Sequence, residues 1–269
     1  MEFLEGFTLL DHDLVDHGIV SNLIAENLGT FMGKTHAATH SSKIPKERVE
    51  TFTKSFENRA MRDIQLEYVF TKCYNEATDD QKAGLTVDEA FMKEVNELKA
   101  AYDGQGDATN LCLNHGDLHP GSIMIHEDEM RVIDPEFTVY GPPGLDVGSL
   151  LSGYVLAAVH QVYSKNSKAV DSIVKGAESI WSSYEKEMLA AGITEDMMKK
   201  IEIETVGFTV AEVCRTALEF AGGRKWLQFE DADVKFNARK AALGIVSNCM
   251  TGRHEGGIAL MLDEMKKVV

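Results

Sequence analysis

Proline placement is the feature that most constrains how this 269-residue chain can fold. All five prolines lie between Pro45 and Pro143, so the stretch from Gly144 to Val269 contains none. Because a proline in a helix interior costs about 3 kcal/mol, its absence permits long helices there. Apolar side chains recur at steps of three and four residues across 173–184 and 203–217, which is helical spacing. The sequence therefore predicts a largely helical second half.

Shorter patterns organise the rest of the chain. Further helices are predicted at about residues 22–39, 57–73, 87–102, 150–163, 233–250 and 257–267, and Thr86 with Glu89 would form a capping box for the third of these. Two β-prone runs, 122–126 and 130–134, are separated by acidic turn residues and predict a hairpin, and 111–113 predicts a third short strand. The expected fold class is mainly α (α+β), helical with one small central β element.

Charge and composition exclude several classes of protein. The chain has 27 basic and 43 acidic side chains, a net charge of −16, which repels phosphate backbones and anionic lipid. The longest apolar stretch, 150–159, falls short of the ~20 residues that a bilayer requires. The four cysteines are far apart and form no CxxC pair, which indicates reduced thiols. We expect a cytoplasmic protein with no nucleic-acid partner and no membrane partner.

The chemistry-bearing residues are concentrated in three segments. These read Asn-His-Gly-Asp-Leu-His-Pro-Gly-Ser-Ile-Met from 114 to 124, Val-Ile-Asp-Pro-Glu-Phe from 132 to 137, and Gly-Pro-Pro-Gly-Leu-Asp-Val-Gly from 141 to 148. Asp117, on a tight loop after a strand, is suited to accept a proton from a substrate hydroxyl. Asp134 and Glu136, at the end of a strand, would share one face and offer oxygens to a hard cation such as Mg²⁺. A base and a metal site together indicate phosphoryl transfer.

Other interpretations of the polar residues are weaker. A polar loop that merely caps a hairpin would explain one segment, but not the ordered set of three. His115 and His119 have the spacing of a helical zinc site, yet Gly116 between them and Pro120 after them argue against a helix. His36 and His40 are expected to be solvated residues at a helix end. The turn at 222–225 could line a substrate pocket, with Trp226 and Phe229 as its packing anchors.

The three segments resemble the catalytic and metal loops of methylthioribose kinases. That family belongs to the aminoglycoside phosphotransferase and choline kinase group, within the protein-kinase-like fold. Two details favour the methylthioribose branch: Ser122 stands where most kinases have a metal-binding Asn, and Asp-Pro-Glu at 134–136 replaces Asp-Phe-Gly. The resemblance extends weakly to residues 1–4, which are similar to the hinge, and to 206–215, which are similar to the substrate-side helix.

The resemblance implies roles for individual residues of the catalytic and metal loops. Asp117 would be the base that positions the hydroxyl, and Asp134 and Glu136 would hold Mg²⁺ bridging the phosphates of ATP. His115 and Asp146 would brace the catalytic loop through hydrogen bonds.

On the cofactor and substrate sides, Ser122 would lie at the cofactor and Arg215 would bind the substrate. The family has two adjacent arginines at the latter place, whereas this chain has Cys214 and Arg215, which puts methylthioribose itself in doubt as the substrate. The resemblance also suggests a homodimer, although no heptad repeat in the sequence requires one.

The expected organisation is a single kinase-like C-terminal lobe over 1–269, with the catalytic and metal-binding loops at 111–148 and a helical subdomain at 149–269. No GxGxxG precedes Asp117 and no lysine-bearing strand resembles the one that contacts ATP phosphates, so we expect the N-terminal nucleotide lobe to be absent, or the chain to be a truncated kinase. The leading hypothesis is an ATP-dependent small-molecule kinase acting on a sugar or other alcohol. The alternative is a catalytically inactive lobe that serves as a binding or regulatory module.

Overall fold

A computed structural model describes residues 4–269 of the chain, and most of them are helical. In chain order the helices are α1 (Leu10–His12, continued by a π-helical turn Asp13–His17), α2 (Asn22–Thr39), α3 (Lys46–Ser55), α4 (Arg59–Tyr68), α5 (Lys72–Glu76), α6 (Asp79–Lys82), α7 (Glu89–Ala100, continued by a π-helical turn Ala101–Gln105), α8 (Gly144–Tyr163), α9 (Val170–Ala190), α10 (Glu195–Ala217) and α11 (Ala232–Lys266). Short 3₁₀ turns cover Pro120–Ser122, Pro135–Phe137 and Ser167–Ala169. The predicted mainly helical fold class is confirmed.

Five short strands form two antiparallel sheets in the described chain. They are β1 (Thr8–Leu9), β2 (Cys112–Asn114), β3 (Ile123–His126), β4 (Glu129–Val132) and β5 (Val139–Gly141). The first sheet has the order β1-β3-β4, with Met124 opposite Arg131, and the second pairs β2 with β5, with Leu113 opposite Tyr140. The predicted hairpin is confirmed. The third strand lies one residue later than predicted and pairs with β5 rather than with the hairpin.

Helix α8 is the centre of the core. All its residues from Gly144 to Gln161 are buried, and it packs against α9 and α10, while α2 packs on α9 and α11 on α10. Gly148 permits the α8–α10 contact, because a Cβ there would lie 2.7 Å from the Cβ of Phe208. Helix α8 has the length and mean hydropathy (1.2) of a membrane span, but 94% of that window is buried inside the fold. It therefore has the burial of a core helix.

The predicted helix at 57–73 is two helices, α4 and α5. The Thr71 hydroxyl donates to the carbonyl of Leu66 at 2.7 Å and accepts from Lys99 Nζ at the same distance. A hydroxyl bound to a nearby backbone carbonyl competes with continuous helix hydrogen bonding. Periodicity of apolar residues continues through this break, which is why the sequence predicted one helix.

Three other boundaries differ from prediction. The Asp88 carboxylate, accepting from the amide of Phe91, caps α7, so the predicted capping box of Thr86 is wrong. Helix α8 begins six residues earlier than predicted, directly after Pro143. The first of the two predicted C-terminal helices continues past residue 250, so that α11 is helical up to a non-helical backbone at Gly257 (φ 52°, ψ −148°), where the second helix begins as predicted.

Candidate active site

Asp146, in the first turn of α8, binds the backbone of the loop that follows β2. Its Oδ2 accepts from the amide of His115 at 2.7 Å, and its Oδ1 accepts from the amide of Gly116 at 2.8 Å. The carboxylate is almost fully buried. Two charge-assisted bonds from one buried side chain fix the two residues that immediately precede Asp117.

His115 links this loop to the strand that leads into the metal-loop segment. Its Nε2 donates to the carbonyl of Ile133 at 2.9 Å, and its Nδ1 accepts from the amide of Asp117 at 3.4 Å. This pairing requires the tautomer with the proton on Nε2. The imidazole therefore spans Asp117 and the residue before Asp134, and both of its nitrogens are used within the chain.

His36, on α2, contacts the carboxylate of Asp146. It is 1% exposed, and its Nε2 lies 3.3 Å from Asp146 Oδ2 while its Nδ1 lies 3.2 Å from the hydroxyl of Tyr184. The expectation of a solvated His36 is therefore wrong. His40 is also buried, with its Nε2 3.0 Å from Asn110 Oδ1, and burial lowers the pKa of His40. His36 in α2 and His40 directly after it are both buried against polar partners distant in sequence, which spacing alone could not indicate.

Gly116 brings the catalytic loop and the metal loop into backbone contact. Its φ is +90°, and a Cβ built on it would lie 1.9 Å from the carbonyl oxygen of Phe137. No side chain fits in that space, and the left-handed conformation also favours glycine. The close approach places the segment containing Asp117 directly against the one containing Asp134 and Glu136.

A turn, not a strand, presents Asp134 and Glu136. Strand β4 ends at Val132, Asp134 has a left-handed backbone (φ 64°), and Glu136 lies in the 3₁₀ turn that follows. The expectation that strand alternation puts the two carboxylates on one face is therefore wrong, because neither residue lies in a strand. Both residues are exposed. Two carboxylates on a tight turn are a donor set of the kind that suits Mg²⁺.

Helix α4 holds both loops through amide side chains. Asn58, at its N-terminal boundary, donates from Nδ2 to the carbonyls of Glu136 (2.8 Å) and Thr138 (3.1 Å). Gln65, which lies in the same helix, donates from Nε2 to the carbonyl of Gly116 at 2.8 Å. Neither residue is identifiable from the sequence, because an isolated Asn or Gln on a helix belongs to no motif.

Ser122 closes the far end of the catalytic loop. Its hydroxyl donates to the backbone carbonyl of Asp117 at 3.0 Å, and the residue is 4% exposed. The described contact is therefore within the loop, and binding of a cofactor by Ser122 stays a prediction.

The carboxylate of Asp117 is partly buried among charged and polar side chains. Its Oδ1 lies 3.8 Å from Arg224 Nη2, and its Oδ2 lies 3.7 Å from His119 Nε2. Burial raises the pKa of Asp117, although the guanidinium of Arg224 opposes the rise. Burial, aided by the positive charge of Arg224, lowers the pKa of His119 to about 3, so this imidazole is neutral near pH 7.

Arg215 reaches the same site from α10. Its Nη2 donates to Glu212 Oε2 at 2.6 Å, and the same oxygen lies 3.4 Å from Arg224 Nη1. Burial alone would raise the pKa of Glu212, but the two guanidinium groups outweigh it and hold that pKa below the ordinary value. Arg215 is thus a salt-bridged residue near Asp117, and Arg224 adds a second arginine from the turn at 222–225.

Comparison with known proteins places this geometry in a family. Residues 1–167 match the model of the phosphotransferase enzyme family. The methylthioribose kinase of Exiguobacterium sibiricum is 28% identical over 95% of this chain and 69% of its own length. The methylthioribose kinase of a Geobacillus species is 28% identical over 90% of this chain and 64% of its own length. The methylthioribose kinase of Bacillus velezensis is 28% identical over 99% of this chain and 70% of its own length. The chain thus spans about two thirds of the length of these curated relatives.

Solved structures agree on the fold. A glucosamine kinase structure has a TM-score of 0.52 at 15% identity, covering 90% of this chain and 60% of the glucosamine kinase chain. A structure of glucosamine kinase with glucosamine, ADP and inorganic phosphate also has a TM-score of 0.52, covering 90% of this chain and 58% of that chain. At this identity the likeness establishes a kinase-like fold alone. Together with the family match, which covers more than half of the chain, it confirms the resemblance seen in the sequence: the chain belongs to the phosphotransferase enzyme family.

Proposed function

We propose that this chain carries the catalytic and metal loops of an ATP-dependent small-molecule kinase whose acceptor is a hydroxyl of a sugar or another small alcohol. The observation that carries the proposal is the joint fixation of the two loops. Asp146 binds the loop of Asp117, Gly116 lies against the carbonyl of Phe137, and His115 donates to the carbonyl before Asp134. Such fixed placement is what phosphoryl transfer needs, because positioning and electrostatics supply most of its catalysis.

Asp117 would accept the proton of the attacking hydroxyl. The hydroxyl oxygen then forms a bond to the γ-phosphorus, the bond from that phosphorus to the β–γ bridging oxygen breaks, and ADP leaves. A pKa raised by burial makes Asp117 a stronger base than an exposed aspartate. The neutral His119 beside it adds no charge that would compete for the carboxylate.

Asp134 and Glu136 would hold Mg²⁺, which neutralises charge on the phosphates when it is bound. Their support comes from the chain itself, since Asn58 fixes the carbonyl of Glu136 and the 3₁₀ turn fixes the backbone between them. The relatives named methylthioribose kinase make methylthioribose the first acceptor to test. The domain plan of 1–269 as a kinase-like C-terminal lobe is part of the same proposal, and its hinge-like segment 1–4 lies almost entirely outside the described residues.

A cytoplasmic location belongs to the proposal as well. Its support is the four cysteines, all buried and unpaired, which suit a reducing compartment. Burial raises the pKa of Cys73 to about 12, so this thiol is unreactive near neutral pH. A homodimer stays a prediction from the resemblance.

The test is ATP-dependent phosphorylation of methylthioribose by the wild-type chain and by Asp117→Asn. The variant keeps the volume of the side chain but removes the base, so we expect turnover to fall at least 100-fold while circular dichroism and the melting temperature remain native-like. Activity of the folded variant within threefold of wild type would refute the role of Asp117. Binding of Mg²⁺-ATP by the wild-type chain without turnover of any alcohol would favour the alternative of an inactive binding module.

A further inference from the structure

Three charged side chains, Glu212, Arg215 and Arg224, lie together near Asp117. Glu212 is buried, and its Oε2 accepts from Arg215 Nη2 at 2.6 Å and from Arg224 Nη1 at 3.4 Å. The other terminal nitrogen of Arg224 lies 3.8 Å from Asp117 Oδ1. Arg224 therefore connects a buried carboxylate to the carboxylate that we propose as the base.

The two arginines are held in different ways. Arg215 belongs to α10 and pairs with Glu212 one turn earlier in the same helix. Arg224 lies outside any helix, two residues after Gly222, whose φ is +67°. No atom lies within 4 Å of a Cβ built on Gly222 or Gly223, so the backbone before Arg224 is not packed against the fold.

The chain after Arg224 is anchored. Trp226 is 3% exposed and Leu227 is 2% exposed, so both belong to the core. Arg224 thus stands between an unpacked glycine turn and a fixed segment. The backbone before Arg224 is therefore free of packing contacts at the two glycines, whereas Arg215 lies within a helix.

Arg224 is balanced by Asp117 only while that carboxylate is ionised. Two guanidinium groups face two carboxylates, Glu212 and Asp117, so uptake of the hydroxyl proton by Asp117 would leave one positive charge in excess beside it, which favours an anion there. A hydroxyl bound to Asp117 would lie ~2.6–3.2 Å from its oxygen, with the attacked phosphorus on the far side of that hydroxyl. The separation of 3.8 Å between Arg224 and Asp117 is longer than a hydrogen bond, so the arginine is near this path without being committed to the carboxylate.

We propose that Arg224 is a further catalytic residue, which faces Asp117 in the free protein and moves its guanidinium to the oxygens of the phosphoryl group as that group moves to the acceptor. The inference rests on the proposed function and deepens it. A planar guanidinium suits this task because it offers two parallel donors to phosphate oxygens. Glu212 is the counter-charge that keeps the guanidinium in the site when it leaves Asp117.

The kinetic test compares Arg224→Gln with Lys240→Gln, which removes an exposed positive charge on α11. We expect kcat of Arg224→Gln to fall at least 100-fold with the KM of the alcohol changed less than threefold, and Lys240→Gln to stay within twofold of wild type. Arg224→Gly should regain at least tenfold activity when guanidinium ion is added at millimolar concentration, and Asp117→Asn should not. A near-normal kcat in Arg224→Gln, or a folded Arg224→Gly that guanidinium does not rescue, would overturn the proposal.

A binding test separates this inference from the proposed function. Inorganic phosphate is titrated into the wild-type chain, Arg224→Gln and Lys240→Gln by calorimetry or ³¹P NMR, without nucleotide or alcohol. Phosphate binding that weakens at least tenfold in Arg224→Gln alone supports the inference even where no alcohol is turned over. Equal phosphate affinity in all three proteins contradicts it, whatever the activity of the wild type.

Discussion

At the scale of single residues, Gly116 shows how a catalytic loop depends on one missing side chain. Its left-handed backbone and its contact with the carbonyl of Phe137 are separate constraints, and only the second joins the two functional loops. Gly84 has nearly the same conformation (φ +93°) but lies in open space, with no atom within 4 Å of a built Cβ. Substitution of Gly84 therefore tests the left-handed backbone alone, whereas substitution of Gly116 also tests the close contact with Phe137.

We predict that Gly116→Ala lowers kcat/KM at least 100-fold, because the loops must separate to admit the methyl group. Gly84→Ala should keep its activity within twofold of wild type. Both variants carry the cost of a left-handed alanine, roughly 1–2 kcal/mol, so both should lose some stability in urea denaturation. Equal activity of the two variants would show that the contact with Phe137 is not needed.

At the scale of secondary structure, the long C-terminal helix α11 is divided by Gly257. The backbone there (φ 52°, ψ −148°) is open only to glycine, and a Cβ would lie 2.2 Å from Glu202 Oε1, which accepts from the amide of Ile258 at 3.0 Å. Gly244, in the same helix, is exposed, and no atom lies within 4 Å of a built Cβ. One glycine is required by the fold, and the other only weakens the helix.

Opposite effects on stability are therefore expected from the same substitution at these two sites. Gly257→Ala should lower the free energy of unfolding by about 2–3 kcal/mol, through the forbidden conformation and the lost contact of Glu202. Gly244→Ala should raise it by about 0.5–1 kcal/mol, because alanine has the higher helix propensity. Urea unfolding of both variants beside wild type measures these changes, and a stabilising Gly257→Ala would contradict the described kink.

At the scale of the whole molecule, Glu204 marks a place where three long helices meet. It lies on α10, packs its Cβ against the position of Gly144 at the start of α8, and has Arg253 of α11 as its main attractive charge. Its Oε2 is enclosed and has no hydrogen-bond partner within the described chain. Burial therefore raises the pKa of Glu204 to about 7.

The sign of the resulting pH dependence follows from proton binding. The folded chain binds this proton more tightly than the unfolded chain, so its contribution to stability is present below the ordinary pKa of 4.5 and is lost as the pH rises through about 7. Glu204→Gln cannot ionise, so it should be more stable than wild type at pH 8, by up to about 3 kcal/mol, and nearly equal at pH 4.5. Glu178→Gln, an exposed substitution on α9, is the control for urea unfolding at both values. A constant difference between Glu204→Gln and wild type across this range would exclude the effect.

The sequence by itself determined the elements and the loops. Helix α2 matches its predicted bounds, because helical spacing of apolar residues is a local property, and the hairpin of β3 and β4 followed from two short runs and a turn. The catalytic and metal segments were recognisable because Asp117, Asp134 and Asp146 stand in ordered, contiguous motifs. Local pattern failed where a side chain intervened, as Thr71 did in dividing the helix predicted at 57–73.

Only the tertiary structure decided what surrounds those motifs. His36 lies 110 residues from Asp146, and Gln65 lies 51 residues from Gly116, so no spacing rule could pair them. Arg224 reaches Asp117 and Glu212 from a turn that resembles an ordinary surface loop. Hydrogen bonds and ion pairs form between groups that packing brings together, and packing depends on the whole chain, whereas a sequence pattern reports only which residues are near along it.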